Sequence, residues 1–401
     1  MHVCRNLKTL IDGDVKVLFD LLNKTDELML VGGCIRNFIL DKEVNDFDFA
    51  TRLKPTEIID ILRKNNIKYL TIGIKFGTVT AVINDNKYEI TTLRNDFNTD
   101  GRHTDVVYTN SYFEDAKRRD FSFNALYLDY NGNVYDYFNG LDDLKTGIIK
   151  FIGEPERRIQ EDYLRILRFF RFYSEYCFTF DYKGFLACVK YKNKIKTLSK
   201  ERIKYEILKI INGAYPIKVL KIMEYYGFIC EILGIEHLDL YNLEIFCSVK
   251  NFINYTPNNV FNLSLILLRN NIEDIKKNLV LTNNEYNFIE KILLYKDESI
   301  NKNNLKKLFF ILKDKEIIKG IIVANITNSN CKNYVEEINT YLHFLDTLET
   351  IKLPITTNDL ENIGIKQKDY GYYMNLAKNY FIESNFECKH NEILEMLLAR
   401  Y

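Results

Sequence analysis

The spacing of apolar residues changes near residue 150, and this change limits the architectures open to the chain. Before it, short runs rich in β-branched and aromatic residues, such as LMLV and KFGTVTAVI, alternate with amphipathic stretches such as PTEIIDILRKN. Such alternation predicts short strands and helices. From Pro155 onward, apolar residues recur every three or four positions, which predicts helices. The sequence therefore predicts an α+β fold: a small mixed sheet with helices, followed by an all-helical remainder.

Bulk composition argues against several classes of protein. The eight cysteines include no CxxC pair and have no regular spacing, which disfavours a zinc site or a disulfide framework. The N-terminus lacks the charged and apolar regions of a secretory signal, and no apolar run reaches the ~18 residues of a membrane span. We therefore predict a cytoplasmic protein with reduced thiols and no membrane segment.

Charge is distributed unevenly, although the formal net charge is zero. Asp and Glu outnumber Lys and Arg by 23 to 20 over residues 1–150, whereas Lys and Arg lead by 11 to 6 over residues 151–200. The second segment is either an ordinary solvated helix surface or a strip that contacts phosphate groups. Charge alone leaves both interpretations open.

Two adjacent glycines follow the first predicted strand. In LMLVGGCIRNFIL, Gly32 and Gly33 end the strand where a helix can begin, and paired glycines let backbone N–H groups approach a phosphate closely. Arg36 falls on the first turn of that helix, placed to contact an anion. The site is not a P-loop, because the GxxxxGK[ST] spacing is absent.

Two alternating aspartates follow in the next predicted strand. In NDFDFAT, Asp46 and Asp48 share one strand face, where their charges repel unless a cation lies between them. Oxygen ligands at this spacing suit Mg²⁺. A lone DxD is most often two surface acids, but its combination with the glycines and Arg36 predicts a site where a triphosphate and a metal meet.

The stretch GGCIRNFILDKEVNDFDFAT, residues 32–51, resembles the nucleotide-binding signature of class II nucleotidyltransferases. That family comprises the bacterial and eukaryotic CCA-adding tRNA nucleotidyltransferases and the bacterial poly(A) polymerases. The resemblance implies a polymerase-β-like catalytic head in which Asp46 and Asp48 are catalytic metal ligands, with a third carboxylate beside them. Glu89, in KYEITTLR, is the predicted third catalytic carboxylate.

A second motif extends the resemblance. KRRDFSFNALYLD, residues 117–129, resembles the family motif in which an arginine and an aspartate select a ribose. The resemblance implies that Arg119 and Asp120 contact the sugar, since a carboxylate can accept from the 2′-hydroxyl, and that Asn124 belongs to the same nucleotide-binding motif. The alternative interpretation is a basic strand edge.

The segment EDYLRILRFFRF, residues 161–172, is predicted to be a helix on which Asp162 and Arg165 share a face. By default such a pair is an exposed salt bridge. The segment also resembles the family motif EDxxR, which implies that the aspartate accepts from the amino group of cytosine or adenine while the arginine donates to the ring. Uracil and guanine carry a carbonyl there and would be rejected. Arg168 and Arg171 continue the basic line toward the triphosphate or the RNA end.

The segment LSKERIKYEILKI, residues 198–210, resembles the family motif that supports the base-selecting helix. Glu201, Arg202 and Glu206 are therefore expected to hold structure rather than perform chemistry.

Two other segments bear on RNA binding and on subtype. Six lysines between residues 183 and 200 form a basic strip, which we assign to contacts with RNA phosphates as a hypothesis. LRNDFNTDGRHTDVVYT, residues 93–109, resembles the flexible loop that CCA-adding enzymes carry and that CC-only enzymes lack. Its presence favours an enzyme that adds the terminal A.

Together these motifs predict template-independent addition of C, C and A to the 3′ end of tRNA, using CTP and ATP and releasing pyrophosphate, with Mg²⁺ as cofactor. The chain would comprise a nucleotidyltransferase head (residues 1–150), a helical neck with the nucleotide-selecting helix (151–215), and a helical body and tail that bind tRNA (216–401). A poly(A) polymerase, an A-only or CC-only enzyme and an inactive tRNA-binding protein are the alternatives. The sequence leaves the oligomeric state open.

Overall fold

The computed structural model describes residues 6–23, 28–97, 105–176, 178–270 and 272–401. The chain divides into two compact units, Met1–Glu236 and His237–Tyr401. The division predicted at residue 150 falls inside the first unit, and the predicted head, neck and body boundaries remain predictions.

Strands occur in the first unit, among the residues that the structure describes. They are β1 Leu28–Val31, β2 Phe47–Thr51, β3 Lys68–Leu70, β4 Thr78–Ile83, β5 Asn86–Thr92, β6 Arg94–Phe97, β7 Asp105–Tyr108, β8 Leu126–Leu128, β9 Val134–Asp136, β10 Ile148–Ile149 and β11 Thr179–Phe180. Seven of them form one mixed sheet in the order β3-β4-β5-β2-β1-β8-β9. Strands β2 and β5 are parallel and the other neighbours in this sheet are antiparallel.

Helices of the first unit flank the sheet and then continue beyond it. They are α1 Gly13–Leu22, α2 Gly33–Ile39, α3 Pro55–Lys64, α4 Tyr112–Lys117, α5 Gly140–Thr146, α6 Pro155–Glu161, α7 Leu164–Tyr176, α8 Tyr182–Lys190, α9 Lys200–Ile211, α10 Pro216–Tyr225 and α11 Phe228–Leu233. Helix α7 buries most of its length, which explains its apolar run of residues.

A cluster of phenylalanines holds helix α7 against the segment that follows Arg118–Asp120, which we call the RRD motif. The Phe121 ring lies 4.8 Å from that of Phe151 and 5.3 Å from that of Phe172, between ring centroids. The Phe123 ring lies 5.2 Å from that of Phe172. All four side chains are buried, and such aromatic pairs stabilise a fixed arrangement beyond their burial alone. Asp120 and helix α7 are therefore held at a defined separation.

The second unit is helical throughout its described residues. Its helices are α12 Tyr241–Val249, α13 Phe261–Ile266, α14 Ile272–Lys276, α15 Asn283–Leu294, α16 Lys302–Leu312, α17 Lys315–Thr327, α18 Tyr334–Thr347, α19 Thr357–Asn362, α20 Tyr370–Glu383 and α21 His390–Leu398. Thr282 and Glu285 form a capping box at the start of α15, with the Thr282 N–H donating to Glu285 Oε2 at 2.7 Å. The box satisfies two backbone N–H groups at the start of this helix, because the Glu285 N–H also donates to the Thr282 hydroxyl oxygen at 3.3 Å.

The α+β architecture predicted from the sequence is confirmed. One detail differs, because β11 interrupts the predicted all-helical remainder: its two residues pair in parallel with β10. The loop resemblance over residues 93–109 falls partly outside the described residues, which leave out 98–104; strands β6 and β7 on either side pair with each other. No helix within the described part of the chain has both the length and the apolar character needed to cross a bilayer.

Candidate active site

The predicted site residues meet in one open cleft of about 600 Å³ in the first unit. The cleft lies where strands β1 and β2, the α6–α7 junction and helix α9 converge. Eleven of the twelve predicted site residues line it: Gly32, Gly33, Arg36, Asp46, Asp48, Arg119, Asp120, Asn124, Asp162, Arg165 and Arg168. The twelfth, Glu89, stands next to Asp48 across the parallel pair β2–β5, where the two Cα atoms are partners in register.

The turn between β1 and α2 requires glycine. Gly32 has φ +78° and ψ −119°, a combination that residues with a Cβ avoid. Its N–H donates to the Leu126 carbonyl at 3.0 Å. A Cβ at this position would lie 3.4 Å from the Asn124 carbonyl oxygen and 3.6 Å from Arg119 Nη1. The absence of a side chain thus brings the backbone close to the ribose-motif residues.

Arg36 is held in place from several directions. Its Nη1 donates to Asn124 Oδ1, while Nε and Nη2 donate to Asn37 Oδ1 at 3.2 and 3.0 Å. The guanidinium carbon lies 5.0 Å from the Phe172 ring centroid and 5.3 Å from that of Tyr176. Aromatic faces and amide oxygens stabilise the cation without neutralising it. Arg36 therefore presents a full positive charge to the cleft.

Three carboxylates, Asp46, Asp48 and Glu89, lie near the start of β2. Asp48 faces the open cleft, but surrounding protein atoms displace much of its hydration. This desolvation, together with repulsion from Glu89 and Asp46, raises the pKa of Asp48 to about 6. The positive charge of Arg119 opposes part of the rise. A divalent cation would relieve this repulsion, so the oxygen donors present fit Mg²⁺ chemically. Across the described residues no three His, Cys, Asp or Glu side chains form a ready-made metal cage. Mg²⁺ sites usually include waters and substrate phosphates, which suits this partial set.

Asp120 lies largely buried in the wall of the cleft and is ionised. Its Oδ2 accepts from Arg168 Nε at 2.5 Å, and its Oδ1 accepts from Asn124 Nδ2 at 3.0 Å and from the Phe121 N–H at 2.9 Å. Burial alone would raise its pKa, but the Arg168 charge and these hydrogen bonds hold the pKa well below its ordinary value. The ribose-motif aspartate is thus a fixed acceptor at neutral pH.

The predicted helix across residues 161–172 is wrong in one respect. Asp162 has an extended backbone (φ −154°, ψ 107°) between α6 and α7, so it does not share a continuous helix face with Arg165. Its Oδ1 accepts from the Leu164 N–H at 3.0 Å, which explains the break, because an aspartate side chain competes with helical backbone bonding. Its Oδ2 accepts from Arg202 Nη2 at 2.7 Å. Both Asp162 and Arg165 nevertheless face the cleft.

Arg165 is oriented by Glu161 and two backbone carbonyls rather than by Asp162. Its Nη1 donates to Glu161 Oε2 at 2.8 Å and to the Arg158 carbonyl at 2.7 Å, and its Nη2 donates to the Arg118 carbonyl at 3.2 Å. Among the described residues this leaves the Nε–H and one Nη2–H of Arg165 for a ligand.

Several cleft residues were not predicted as site residues. Arg118 lines the cleft, as does Arg202, which the sequence resemblance had assigned to structure only. Asp115 lies behind the cleft and binds both Arg118 Nε, at 2.8 Å, and Arg119 Nη2, at 3.2 Å. The three- and four-residue spacing of Asp115 from these arginines was a visible signal. The Arg202–Asp162 contact joins segments 40 residues apart and had no local signal.

Comparison with known proteins identifies the family. The family model described as "Poly A polymerase head domain" matches residues 28–150, and the one described as "Probable RNA and SrmB- binding site of polymerase A" matches residues 177–234. A CCA-adding enzyme of Lactobacillus helveticus is 32% identical over 312 residues, covering 75% of each chain. A CCA-adding enzyme of Staphylococcus aureus is 31% identical over 330 residues, covering 79% of this chain and 77% of the relative. The chain belongs to the CCA-adding enzyme family.

Other members of the CCA-adding enzyme family match over nearly the whole chain. The mouse protein named CCA tRNA nucleotidyltransferase 1, mitochondrial, is 29% identical over 391 residues, covering 96% of this chain and 89% of the relative. The crystal structure of the Bacillus stearothermophilus CCA-adding enzyme in complex with CTP has a TM-score of 0.80 at 22% identity, covering 96% of each chain. The Thermotoga maritima enzyme complexed with tRNA has a TM-score of 0.66 at 20% identity, covering 100% of each chain. These structures establish a shared fold.

Membership of the CCA-adding enzyme family confirms the resemblance found in the sequence. Nucleotidyltransferases of this family are metal-dependent, although the family does not by itself name the metal. The family also does not fix the compartment, because the mouse and human relatives are mitochondrial by name. The cytoplasmic location remains a prediction.

Proposed function

We propose that this protein adds C, C and A to the 3′ end of tRNA without a nucleic-acid template, taking CMP from CTP and AMP from ATP and releasing pyrophosphate. The observation that carries the proposal is one cleft that brings together the carboxylates of β2 and the Asp162–Arg165 segment. The first can serve phosphoryl transfer and the second can serve base selection. An inactive tRNA-binding protein would need neither.

The triphosphate would lie between the glycine turn and Arg36. The turn at Gly32 and Gly33 gives phosphate oxygens close access to the backbone, and Arg36 donates from a fixed position. Asp46, Asp48 and Glu89 would hold Mg²⁺, which would stabilise charge on the phosphates and activate the attacking hydroxyl. Catalysis by this chain rests mainly on positioning and electrostatic stabilisation.

The sugar would be read by the RRD motif. Arg119 Nη1 lies beside the glycine turn and Asp120 is held ionised beneath it. An ionised carboxylate can accept a hydrogen bond from a 2′-hydroxyl, which a deoxyribose cannot provide. Asn124 links the two parts of the site, because its side chain binds both Arg36 and Asp120.

The base would be read by Asp162 and Arg165. The Asp162 carboxylate is held as an acceptor by Arg202 and the Leu164 N–H, so it suits the amino group of cytosine or adenine. Arg165 keeps donors for the ring acceptors of either base. Uracil and guanine would face the carboxylate with a carbonyl, and each such unpaired contact costs roughly 1–3 kcal/mol.

The rest of the chain would bind tRNA. We assign catalysis to residues 1–150, base selection to the neck at 151–215, and tRNA binding to the body and tail at 216–401. In the basic strip, Lys190 pairs with Glu156 at 2.6 Å, Lys196 pairs with Glu231 at 2.9 Å, and Lys192 Nζ donates to the Tyr226 carbonyl at 2.6 Å. The Lys190–Glu156 contact is exposed on both sides and contributes little to folding, so Lys190 can exchange it for an RNA phosphate.

A stepwise incorporation assay tests the function. tRNA transcripts ending at the discriminator base, in C or in CC would each be given one labelled nucleotide triphosphate and Mg²⁺. We expect C, then C, then a single A. Continued addition of A would support a poly(A) polymerase, and arrest after the second C or a requirement for CC would support a CC-only or A-only enzyme.

Two substitutions separate chemistry from base selection. Asp48→Ala should abolish every nucleotide addition while leaving tRNA binding intact. An inactive tRNA-binding protein would have no addition activity for this substitution to remove. Arg165→Ala should relax the exclusion of UTP more than it alters the Mg²⁺ concentration for half-maximal rate. An Arg165→Ala protein that still excludes UTP as strongly as the wild type would contradict the assignment of this residue to base selection.

A further inference from the structure

A buried carboxylate outside the cleft, Asp115, binds Arg119, the arginine that the sequence assigns to the ribose. Asp115, on α4, is 1% exposed, and its Oδ2 accepts from the Tyr127 hydroxyl at 2.6 Å and from Arg119 Nη2 at 3.2 Å. Its Oδ1 accepts from Arg118 Nε at 2.8 Å. Burial alone would raise its pKa, but Arg119, Arg118 and the Tyr127 hydroxyl hold the pKa of Asp115 at about 2. The group is therefore an anion at neutral pH.

Among the described residues, the hydrogen bonds of the Arg119 guanidinium are made along one edge. Nε donates to the Tyr127 hydroxyl at 3.2 Å and Nη2 donates to Asp115, while the ring of Tyr127 lies 5.4 Å from the guanidinium carbon. Nη1, on the opposite side, has no partner among the described residues and lies beside the glycine turn at Gly32. One edge is thus anchored and the other faces the cleft.

The backbone of Arg118 and Arg119 is held by a third arginine, Arg158. Arg158, on α6, is buried, and its Nη2 donates to the carbonyls of both Arg118 and Arg119, at 2.5 and 2.6 Å. With the main chain held there, the direction of the Arg119 side chain depends on what receives its Nε and Nη2. That receiver is the Asp115–Tyr127 pair.

We propose that Asp115 and Tyr127 act as a positioning pair for ribonucleotide selection, because they hold Arg119 by one edge and direct its free Nη1 at the incoming nucleotide's sugar. Without the pair, Arg119 can turn toward Asp48, whose charge it already influences across the cleft. The inference rests on the proposed function, since it assigns a source of sugar discrimination within the same reaction.

The test compares CTP with 2′-deoxyCTP as substrates for one addition to a tRNA transcript that ends at the discriminator base. The variants are Asp115→Asn, which keeps shape and removes charge, and Tyr127→Phe, which removes one hydroxyl from a buried ring. Glu114→Gln is the matched control, because this neighbouring α4 carboxylate pairs with Lys117 at 3.7 Å on the exposed side of the helix. Thermal unfolding followed by circular dichroism shows which variants fold.

We expect Asp115→Asn to reduce the ratio of kcat/KM for CTP over 2′-deoxyCTP at least about tenfold, the size of one lost charge-assisted hydrogen bond. Tyr127→Phe should reduce the same ratio by about threefold or more, and Glu114→Gln should leave it unchanged. If Asp115→Asn fails to fold, Tyr127→Phe decides the question, because its ring still fills the core.

A double variant identifies the route of the effect. If Asp115 acts through Arg119, adding Asp115→Asn to an Arg119→Gln protein should have little further effect. The ratio of kcat/KM for CTP over 2′-deoxyCTP should change less than about twofold, because both substitutions remove the same contact. A folded variant with reduced kcat/KM for both nucleotides but an unchanged ratio would overturn the inference. That result differs from failure of the proposed function, in which the wild-type protein itself would not extend tRNA with C.

Discussion

Alanine should destabilise the protein at Gly32 but not at the adjacent Gly33. Gly32 has φ +78° and ψ −119°, where a Cβ introduces strain of roughly 1–3 kcal/mol. The nearest atom to the new methyl group, the Asn124 carbonyl oxygen, would lie 3.4 Å away, an ordinary contact that adds no further overlap. Gly33 begins helix α2 without a positive φ, and its Cβ would lie 3.7 Å from Arg36 Nη2. Alanine there carries no backbone strain.

Stability and activity should therefore separate in this pair. We expect Gly32→Ala to lower the free energy of unfolding of the first unit by about 1–3 kcal/mol, and Gly33→Ala to leave it within about 0.5 kcal/mol of the wild type. The Gly32 methyl group would lie beside Arg119 and the Gly33 methyl group beside Arg36, both next to the space assigned to the nucleotide, so KM for CTP should rise in both. Far-UV circular dichroism in a urea titration measures stability, since the chain has no tryptophan, and single-nucleotide addition gives KM.

Two results would refute this reasoning. A Gly32→Ala protein as stable as the wild type would mean that the turn does not need the glycine conformation. A Gly33→Ala protein with wild-type KM for both CTP and ATP would mean that nucleotides do not approach this face of the turn, even if the fold were correct.

Four further predictions follow from particular contacts. Asp162→Asn should lower the CTP-to-UTP incorporation ratio at least about tenfold, because an amide can donate to the uracil carbonyl. Adjacent guanidiniums outweigh burial and lower the pKa of Asp115 from 3.8 to about 2. Ionised Asp115 should therefore contribute about 2 kcal/mol of stability above pH 5, and this contribution should be lost as the pH falls through 4 toward 2. Asp115→Asn should flatten the acid side of a curve of unfolding free energy against pH. Thr282→Ala should destabilise the second unit by about 1 kcal/mol in a urea titration, because the capping bond is lost. Glu89→Gln should lower the pKa of Asp48 below about 6, because repulsion from Glu89 is lost. As the pH is lowered, protonation of Asp48 raises the Mg²⁺ concentration needed for half-maximal rate, and in the variant this rise should begin at a lower pH than in the wild type.

Sequence reasoning predicted well the parts of the site that are local in the chain. The strand, glycine turn, helix and second strand over residues 28–51 follow from short-range patterns, and the structure has them at Leu28–Val31, Gly33–Ile39 and Phe47–Thr51. Glu89 depended on the family resemblance, and the parallel register of β2 with β5 gives it a physical basis that no sequence spacing could supply.

The parts that sequence reasoning missed depend on long-range contacts or on side chains that compete with the backbone. Helical periodicity runs through residues 161–172, yet the Asp162 side chain takes the Leu164 N–H and breaks the helix. The partner of Asp162, Arg202, comes from another helix, and Tyr127, the partner of Asp115, comes from a strand. Neither contact leaves a periodic pattern in the sequence.

The use of arginine in the cleft has a physical explanation. The chain has 39 lysines and 16 arginines, yet seven arginines and no lysine stand among the described residues that line the cleft. A planar guanidinium can be anchored along one edge and still offer donors from the other, whereas an ammonium group has no second edge. Carboxylates supply the anchors and reduce the repulsion among cations that are brought together before any nucleotide arrives. The anchored pairs are Arg119–Asp115, Arg168–Asp120, Arg165–Glu161, Arg202–Asp162 and Arg171–Glu206. Because the partners fix these side chains in advance, little reorganisation would remain on binding of a triphosphate at the proposed site, and the anchors that stabilise the fold would also support its selectivity.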